Sequence, residues 1–324
     1  MTYKNLYIIG NGFDQHHDIP CGFPHFMTWV KEHDAYFFFK LSKVYSNAWN
    51  NDWWKDFESN LAQLNININA SHIGNLYDPE YITEGSINKK TEIASLKVIE
   101  EFEAIKDSLK MDFQNWLLEA YEKCNSDKKI RLQCEDSIFL SFNYTKTLED
   151  FYGIDSKQIC HIHGVINNRD SMIVGHGQGL LELNDIVERQ KPRVSRRSCI
   201  TLNKNSNLEF NLHILLPTHI ELATQKSMES ILSLKKDVEG CIEKNKRFFD
   251  DILDVQKIFV YGFSFSSIDM PYLEKIIRRT NPDTHWVISW YSQEDKRRIM
   301  DFVTRYNIQN ITINKGIKYL DIKI

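Results

Sequence analysis

The fold is decided by the segment Ile8-Ile9-Gly10-Asn11-Gly12-Phe13-Asp14, which closes a short apolar run near the start of the sequence. A buried strand, a glycine turn and an acidic residue that opens a helix are the first elements of a Rossmann-like domain. Amide groups at a helix start attract anions, and glycine lets a ligand come close to the backbone. Gly-Asn-Gly also forms ordinary turns, and the full dinucleotide motif is absent. The segment alone is therefore weak evidence for a phosphate-binding loop. The prediction gains support from later segments of the chain that fit the same site.

Composition allows a large folded core and excludes several classes of protein. The chain has 324 residues, of which 42% are apolar, and a net charge of -4. This charge gives no general attraction to nucleic acid or to an acidic membrane. The six cysteines form no Cys-x-x-Cys pair, so we expect reduced thiols rather than a zinc ribbon or a redox site. With no signal-type start and no apolar run of about 18 residues, we expect a cytoplasmic protein of bacterial type without a membrane partner.

Apolar residues recur at helical spacing between residues 34 and 127 and predict a set of helices there. One apolar stripe runs from Trp49 to Leu64, and another runs from Ile99 to Trp116. Residues 65–88 between them are rich in Asn, Ser and Gly and predict a surface loop. The predicted domains are therefore a helical insertion at 34–134 and a Rossmann-like nucleotide-binding domain at 1–33 plus 135–324.

Strand and helix patterns alternate through the rest of the chain and predict a mostly parallel sheet with helices on both faces. The predicted strands are 5–9, 137–141, 158–163, 172–174, 257–261, 286–290 and 310–313. The predicted helices are 24–31, 221–253, 270–279 and 294–306. Residues 185–211 break the periodicity, and the basic stretch 189–204 predicts a solvated loop, with a phosphate clamp or a partner surface as the alternative.

Four polar or glycine segments directly follow predicted strands. They are residues 10–14, 142–145, 163–164 and 262–267. Ligands of parallel sheets bind beyond the carboxyl ends of the strands. We therefore expect these segments to converge on one edge of the sheet, with Ser264 and Asp269 close to a ligand.

Asn143 and His163 are the candidate catalytic residues. Asn143 precedes a helix that Thr145 could cap, so it is either a helix-start residue or an amide that orients a ribose or a water. A lone histidine at a strand end is usually structural, but beside Asn143 and a glycine loop His163 is the better candidate for a general base. His161 lies two residues earlier, so we expect both histidines on one face of the strand.

Four further residues have open interpretations. Asp14 and His17 share a helix face and could bond to each other, cap the helix or bind a metal. His176 lies between two glycines and either approaches a ligand or belongs to a plain turn. Glu58 is expected to be a solvated helix residue unless the insertion folds over the ligand.

Taken in order, these motifs resemble the bacterial abortive-infection AbiH family over nearly the whole chain. The segments that carry the resemblance are Gly10-Asn11-Gly12-Phe13-Asp14 with His17 and Pro20, Trp54 with Glu58, Phe142-Asn143-Tyr144-Thr145, His161-Ile162-His163-Gly164, Gly175-His176-Gly177, and Gly262-Phe263-Ser264 with Asp269. The resemblance implies defence against bacteriophage, in which an infected cell arrests itself. The family is also distantly similar to sirtuin-like domains, which hold NAD on a Rossmann-type sheet.

The sirtuin-like similarity implies roles for individual residues. Residues 10–13 would form the phosphate loop, Asn143 would contact the nicotinamide ribose, and His163 would serve as the base. Asp14 stands where sirtuins prefer a small or hydroxyl residue, and Asn143 is followed by Tyr144-Thr145 instead of an Ile-Asp pair. The zinc cysteines of sirtuins are absent, so protein deacylation is not implied.

We therefore expect NAD as a substrate that is cleaved between nicotinamide and ribose, with no metal. The residues expected to contact it are Gly10, Asn11, Gly12, Phe13, Asp14, His17, Glu58, His161, His176, Gly262, Ser264 and Asp269. One alternative is a metal-dependent nuclease or phosphohydrolase that uses Asp14, His17, His161, His163 and His176. Another is a non-catalytic nucleotide sensor whose insertion docks a protein partner. The sequence leaves a homo-oligomer and a phage-derived trigger open as partners, and nucleic acid is not expected.

Overall fold

The computed structural model describes residues 3–45, 47–63, 84–124, 128–178 and 228–316, with backbone alone at 84–99, 101 and 102. The predicted basic loop at 189–204 lies outside these residues.

A sheet of six parallel strands forms the centre of the described fold. The strands are β1 (Asn5–Ile9), β2 (Ser137–Ser141), β3 (Ile159–His161), β4 (Lys257–Tyr261), β5 (His285–Trp290) and β6 (Ile311–Lys315). Their spatial order is β3-β2-β1-β4-β5-β6, and Ile9 at the end of β1 pairs with Ser141 and Tyr261 at the ends of its neighbours. This is the strand order of dinucleotide-binding Rossmann sheets, with its topological switch point between β1 and β4. The predicted Rossmann-like α/β fold is confirmed.

The described helices include a group that follows the first strand. They are α1 (Asn11–His16), α2 (Phe23–His33), α3 (Ala35–Val44), α4 (Asn51–Lys55), α5 (Phe57–Asn60), α6 (Glu84–Glu122), α7 (Thr147–Tyr152), α8 (Val238–Lys244), α9 (Lys246–Asp251), α10 (Met270–Arg279) and α11 (Gln293–Arg305). Helices α8 to α11 pack on one face of this sheet and helices α1 and α7 on the other. The start of α11 shows why the chain begins a helix there. Ser292 accepts from the Asp295 amide, and Asp295 accepts from the Ser292 amide, so two otherwise unpaired amides are satisfied.

Alternate residues of β1 to β5 enter two separate hydrophobic cores, as the two-residue period of a strand requires. Leu6 and Ile8 of β1 pack in the core that contains residues of α8, α9, α10 and α11. Tyr7 and Ile9 enter the other core, together with residues of α1 and α7. The Tyr7 ring is stacked between Phe139 and Phe259, at centroid distances of 4.9 and 4.7 Å. Burial on both faces explains why the strands read as continuous apolar runs.

The chain forms two compact units. One consists of Met1–Trp29, Lys110–Val174 and Lys236–Ile324 and carries the sheet, and the other consists of Val30–Leu109 and Gly175–Lys235. In the second unit the Trp54 ring stacks on Phe57 at 4.9 Å, and its indole donates to the Ala48 carbonyl at 2.8 Å. The sequence-based boundaries of the insertion, residues 34 and 134, stay a prediction.

Three predicted elements differ from the structure. Residues 172–174 are not a strand, because Met172 ends a 3-10 turn. Of the predicted helix at 221–253, residues 221–227 lie outside the described chain, and the remainder is broken where Asp237 caps α8 by accepting from the Gly240 amide. Such capping side chains favour a new helix start over continuation. Helix α6 begins at Glu84, so the end of the predicted loop at 65–88 is helical.

Among the described helices, none combines the length and the apolar character that are needed to span a bilayer.

Candidate functional site

The β1–α1 loop packs directly on the loop that follows β4, at the switch point of the sheet. Gly10 donates its amide to the Tyr261 carbonyl at 2.9 Å, and Gly12 donates to the Gly262 carbonyl at 2.8 Å. A Cβ placed on Gly12 would lie 2.8 Å from the Gly262 Cα, and one on Gly262 would lie 2.2 Å from the Phe13 nitrogen. Only glycine allows two backbones to approach this closely.

This packing changes the interpretation of the glycine loop. The amides of Gly10 and Gly12 are bonded to the β4 end, and the Phe13 amide donates to the Gly10 carbonyl at 2.9 Å. Asn11 is exposed, and its side-chain amide donates to the Cys21 carbonyl at 3.2 Å. Backbone packing therefore accounts for the glycines, and contact of this loop with a phosphate remains a prediction.

Asp14 is buried and binds two threonines that follow β2. Thr145 donates to one carboxylate oxygen at 2.6 Å, and Thr147 donates to the other at 2.8 Å. Burial raises the pKa of Asp14 to about 6, although both hydroxyls and the nearby Asn143 amide act to lower it. The predicted capping role of Thr145 is wrong, because Lys146 occupies the start of α7 and the Thr145 hydroxyl points to Asp14 instead.

His17 is fully buried and uses both ring nitrogens inside the protein. Nδ1 lies 2.7 Å from the Phe13 carbonyl oxygen, and Nε2 lies 2.7 Å from the Tyr152 hydroxyl. A carbonyl only accepts, so Nδ1 carries the proton and Nε2 accepts from Tyr152. Tyr152 in turn accepts from the Ile130 amide at 3.0 Å. Burial lowers the pKa of His17, which keeps the ring neutral for this chain of bonds. Its partners leave neither ring nitrogen for Asp14 or for a ligand.

Asn143 is the second residue beyond β2, and its backbone is held by hydrogen bonds. Its backbone N–H donates to the Ser141 hydroxyl at 3.2 Å, and its backbone carbonyl accepts from the same hydroxyl at 3.3 Å. Its side chain lies close enough to Asp14 to affect that carboxylate. Nevertheless, Asn143 Nδ2 is buried without a hydrogen-bond partner of normal geometry.

His161 and His163 face opposite sides of the sheet, so the expectation that they share a face is wrong. His161 contacts Glu149 of α7, whose neighbour Leu148 belongs to one core. The His163 ring packs against Phe142, which belongs to the other core, at a centroid distance of 5.4 Å. The strand ends at His161 and the chain then turns, so strand alternation does not extend to His163.

His163 is buried beside a carboxylate at the start of α10. Its Nε2 lies 3.7 Å from Asp269 Oδ1, and its ring lies 5.6 Å from that of Tyr272. Burial, with a further contribution from the positive charge of Lys236, holds the pKa of His163 well below its usual value. The imidazole is therefore neutral at neutral pH, and its Nε2 makes no hydrogen bond.

The remaining predicted residues are His176, Glu58 and Ser264. In the second unit, His176 is buried, its Nε2 lies 2.9 Å from the Ile231 carbonyl oxygen, and its Nδ1 accepts from the Gln178 amide at 3.1 Å. These bonds favour the structural interpretation of His176. Glu58 belongs to α5 of the second unit and is half-buried. Ser264 is exposed in the loop between β4 and α10.

The metal-binding alternative requires Asp14, His17, His161, His163 and His176 to meet around one ion. Within the described residues, no group of three or more His, Cys, Asp or Glu side chains is placed to hold a metal ion.

Sequence reasoning missed Thr147, Glu149 and Tyr152, which bind Asp14, His161 and His17 respectively. All three belong to α7, which packs on the sheet through Leu148. The available signal was a run of polar side chains on a helix expected to cover the sheet.

The strand order and the polar residues gathered beyond β1, β2, β3 and β4 define a Rossmann-like α/β protein with its candidate site at the carboxyl edge. The family model for bacteriophage abortive infection AbiH matches residues 6–290, so the chain belongs to this family. Membership assigns it a role in abortive infection against bacteriophage. Comparison with curated proteins and with solved structures gave no significant match.

Proposed function

We propose that this abortive-infection protein binds NAD at the carboxyl edge of the sheet and cleaves the bond between nicotinamide and ribose. The observation that carries the proposal is a pair of buried polar atoms, Asn143 Nδ2 and His163 Nε2, that lack a hydrogen-bond partner of normal geometry beyond the neighbouring strands β2 and β3. Buried polar atoms are almost always hydrogen-bonded, so an exception at a sheet edge suggests a missing ligand. The hydroxyl groups of a ribose are suitable partners for an amide and a neutral imidazole.

The chemistry requires little from the protein beyond positioning and one base. A water oxygen bonds to the ribose C1′ as the C–N bond breaks, and the bonding electrons leave with neutral nicotinamide. Asn143 orients the ribose and the water, and His163 takes the proton that the water releases. The Asp269 carboxylate, 3.7 Å away, stabilises the imidazolium that forms. A positioned base of this kind contributes roughly a hundredfold or more in rate.

The resemblance of these sequence motifs to sirtuin-like domains, which implies a ribose contact at Asn143 and a base at His163, agrees with the same assignment. The observed geometry adds that His163 is neutral and lies beside a carboxylate, as a base should.

The test is incubation of the purified full chain with NAD, with nicotinamide followed by chromatography and NAD binding followed by calorimetry. Extract from phage-infected cells is added in a parallel series, since a defence enzyme can require a trigger. Nicotinamide release supports cleavage. Saturable binding of NAD or ADP-ribose without release in either series indicates the sensor alternative, and neither binding nor release contradicts both.

A further inference from the structure

His161 and Glu149 form a half-buried pair that the proposed reaction does not use. The His161 Nε2 lies 3.0 Å from Glu149 Oε1, and each side chain is 12% exposed. On its other side, the His161 Nδ1 lies 3.3 Å from the main-chain carbonyl oxygen of Asn143. The imidazole therefore links α7 to Asn143.

The identity of these partners fixes where the protons lie. A carboxylate and a carbonyl oxygen can only accept, so both His161 nitrogens face acceptors. The first ring proton belongs on Nε2, toward the charged carboxylate, because that hydrogen bond is the shorter and the stronger. A second proton on Nδ1 would turn the contact with Asn143 into a hydrogen bond.

The contact with His161 favours the charged form of the Glu149 carboxylate. Burial alone would raise the pKa of Glu149, but the hydrogen bond and the charge of His161 outweigh it, so this pKa lies below its usual value. The remaining titratable groups near the pair are Lys146 at the start of α7, Asp14 of α1 and Tyr121 of α6. The Glu149 Oε2 is itself buried without a hydrogen-bond partner.

Asn143 is consequently held by its backbone on two sides. Ser141 binds its amide and its carbonyl, and His161 approaches that carbonyl from β3. Its side-chain Nδ2 is left without a partner. A rigid backbone with an unsatisfied amide is the arrangement expected of a preorganised ligand contact.

We propose that Glu149 and His161 are positioning residues, which fix the orientation of the Asn143 side chain through its main-chain carbonyl. The inference concerns the same site as the proposed function, and its link to catalysis rests on that function.

The first experiment does not depend on any activity. The full chain is labelled with ¹⁵N-asparagine, and the side-chain amide signals of Asn143 are assigned by their loss in Asn143→Ala. Glu149→Gln and His161→Ala are expected to shift or broaden these signals, whereas Asp150→Asn should leave them in place. Asp150 is the matched control, because it is the next residue of α7 and, among the bonds described, its side chain accepts from the Tyr121 hydroxyl and not from His161. Unchanged Asn143 signals in both folded variants would overturn the proposal.

A conservative replacement separates positioning from general loss of structure. His161→Asn places an amide nitrogen near the position of Nδ1 and can donate to the Asn143 carbonyl without titrating. Its Asn143 signals should lie near the wild-type position. Signals as displaced as those of His161→Ala would also overturn the proposal.

The second experiment connects the pair to the reaction. If the wild type releases nicotinamide, Glu149→Gln should lower kcat at least tenfold with a smaller change in KM, and Asp150→Asn should change neither. Equal rates in Glu149→Gln and the wild type would reject the catalytic link. No release by the wild type would reject the proposed function and leave the labelled-asparagine result to decide the positioning role.

Discussion

The Thr145 hydroxyl donates a hydrogen bond of 2.6 Å to the Asp14 carboxylate, although the two residues are 131 positions apart in the sequence. This bond joins the first helix to the segment beyond β2, where Asn143 is the candidate ligand contact. A buried carboxylate usually requires such partners, since an unsatisfied one is costly. The bond also directs Asp14 away from the role of phosphate neighbour that its place in the glycine loop suggested.

Gly262→Ala should destabilise the fold more than an ordinary glycine replacement. Gly262 has a φ of 62°, and its new Cβ would lie 2.2 Å from the Phe13 nitrogen. We expect a loss of about 3 kcal/mol or more in the free energy of unfolding, measured in urea. Gly153→Ala is the control, because Gly153 has a φ of 66° and open space around it. It should lose only roughly 1–2 kcal/mol, and equal losses would contradict the close-packing explanation.

Asp14→Asn should change how stability depends on pH. The pKa of Asp14 is raised from 3.8 to about 6, so its protonated form is favoured in the folded state. Its contribution to stability is present below pH 3.8 and is lost as the pH rises through about 6. Relative to Asp14→Asn, the wild type should therefore lose up to roughly 3 kcal/mol between pH 4 and pH 7. A constant difference between the two unfolding free energies over this range would show that Asp14 titrates normally.

Tyr152→Phe should cost stability because it leaves two buried groups without a partner. The Tyr152 hydroxyl donates to His17 and accepts from the Ile130 amide. Loss of both bonds should lower the free energy of unfolding by about 2–3 kcal/mol. Tyr121→Phe, which removes an exposed bond to Asp150, should cost at most about 1 kcal/mol. Both variants are compared by thermal and urea unfolding. Equal losses of unfolding free energy in the two variants would contradict this explanation.

Asn143→Ala and His163→Ala should each reduce nicotinamide release by roughly a hundredfold or more, because each removes a group that the reaction requires. Circular dichroism and the melting temperature show whether the fold survives. Unchanged turnover in both folded variants would eliminate the proposed mechanism.

The pH dependence of release offers an independent check on His163. Its pKa is held well below the usual value by burial and by Lys236, so the base form persists on acidification. We therefore expect that protonation of His163 does not lower kcat/KM between pH 8 and pH 6. The measurement compares the pH profile of kcat/KM in the wild type with that in His163→Gln. An inflection near the pKa of free histidine that is present in the wild type and absent from the variant would contradict this expectation.

Local sequence patterns were sufficient for the sheet and for most of its helices. Strands such as β1 and β4 are short apolar runs that end in glycine turns, and helix α10 starts and ends where its apolar spacing predicted. Patterns failed where a single capping side chain mattered, as at Asp237, whose bond to Gly240 divides a helix that periodicity made continuous.

The sequence by itself determined that this is a parallel α/β protein of the abortive-infection AbiH family and which segments end at the carboxyl edge. The spacing of apolar residues and the residues that form turns are local properties of a chain, so neighbouring residues determine them. Only the tertiary structure decided the partners of Asp14, the opposite directions of His161 and His163, and the packing of Gly12 on Gly262. Those relationships depend on how distant segments pack, because a hydrogen bond or a close backbone contact exists only once both sides are brought within a few ångströms.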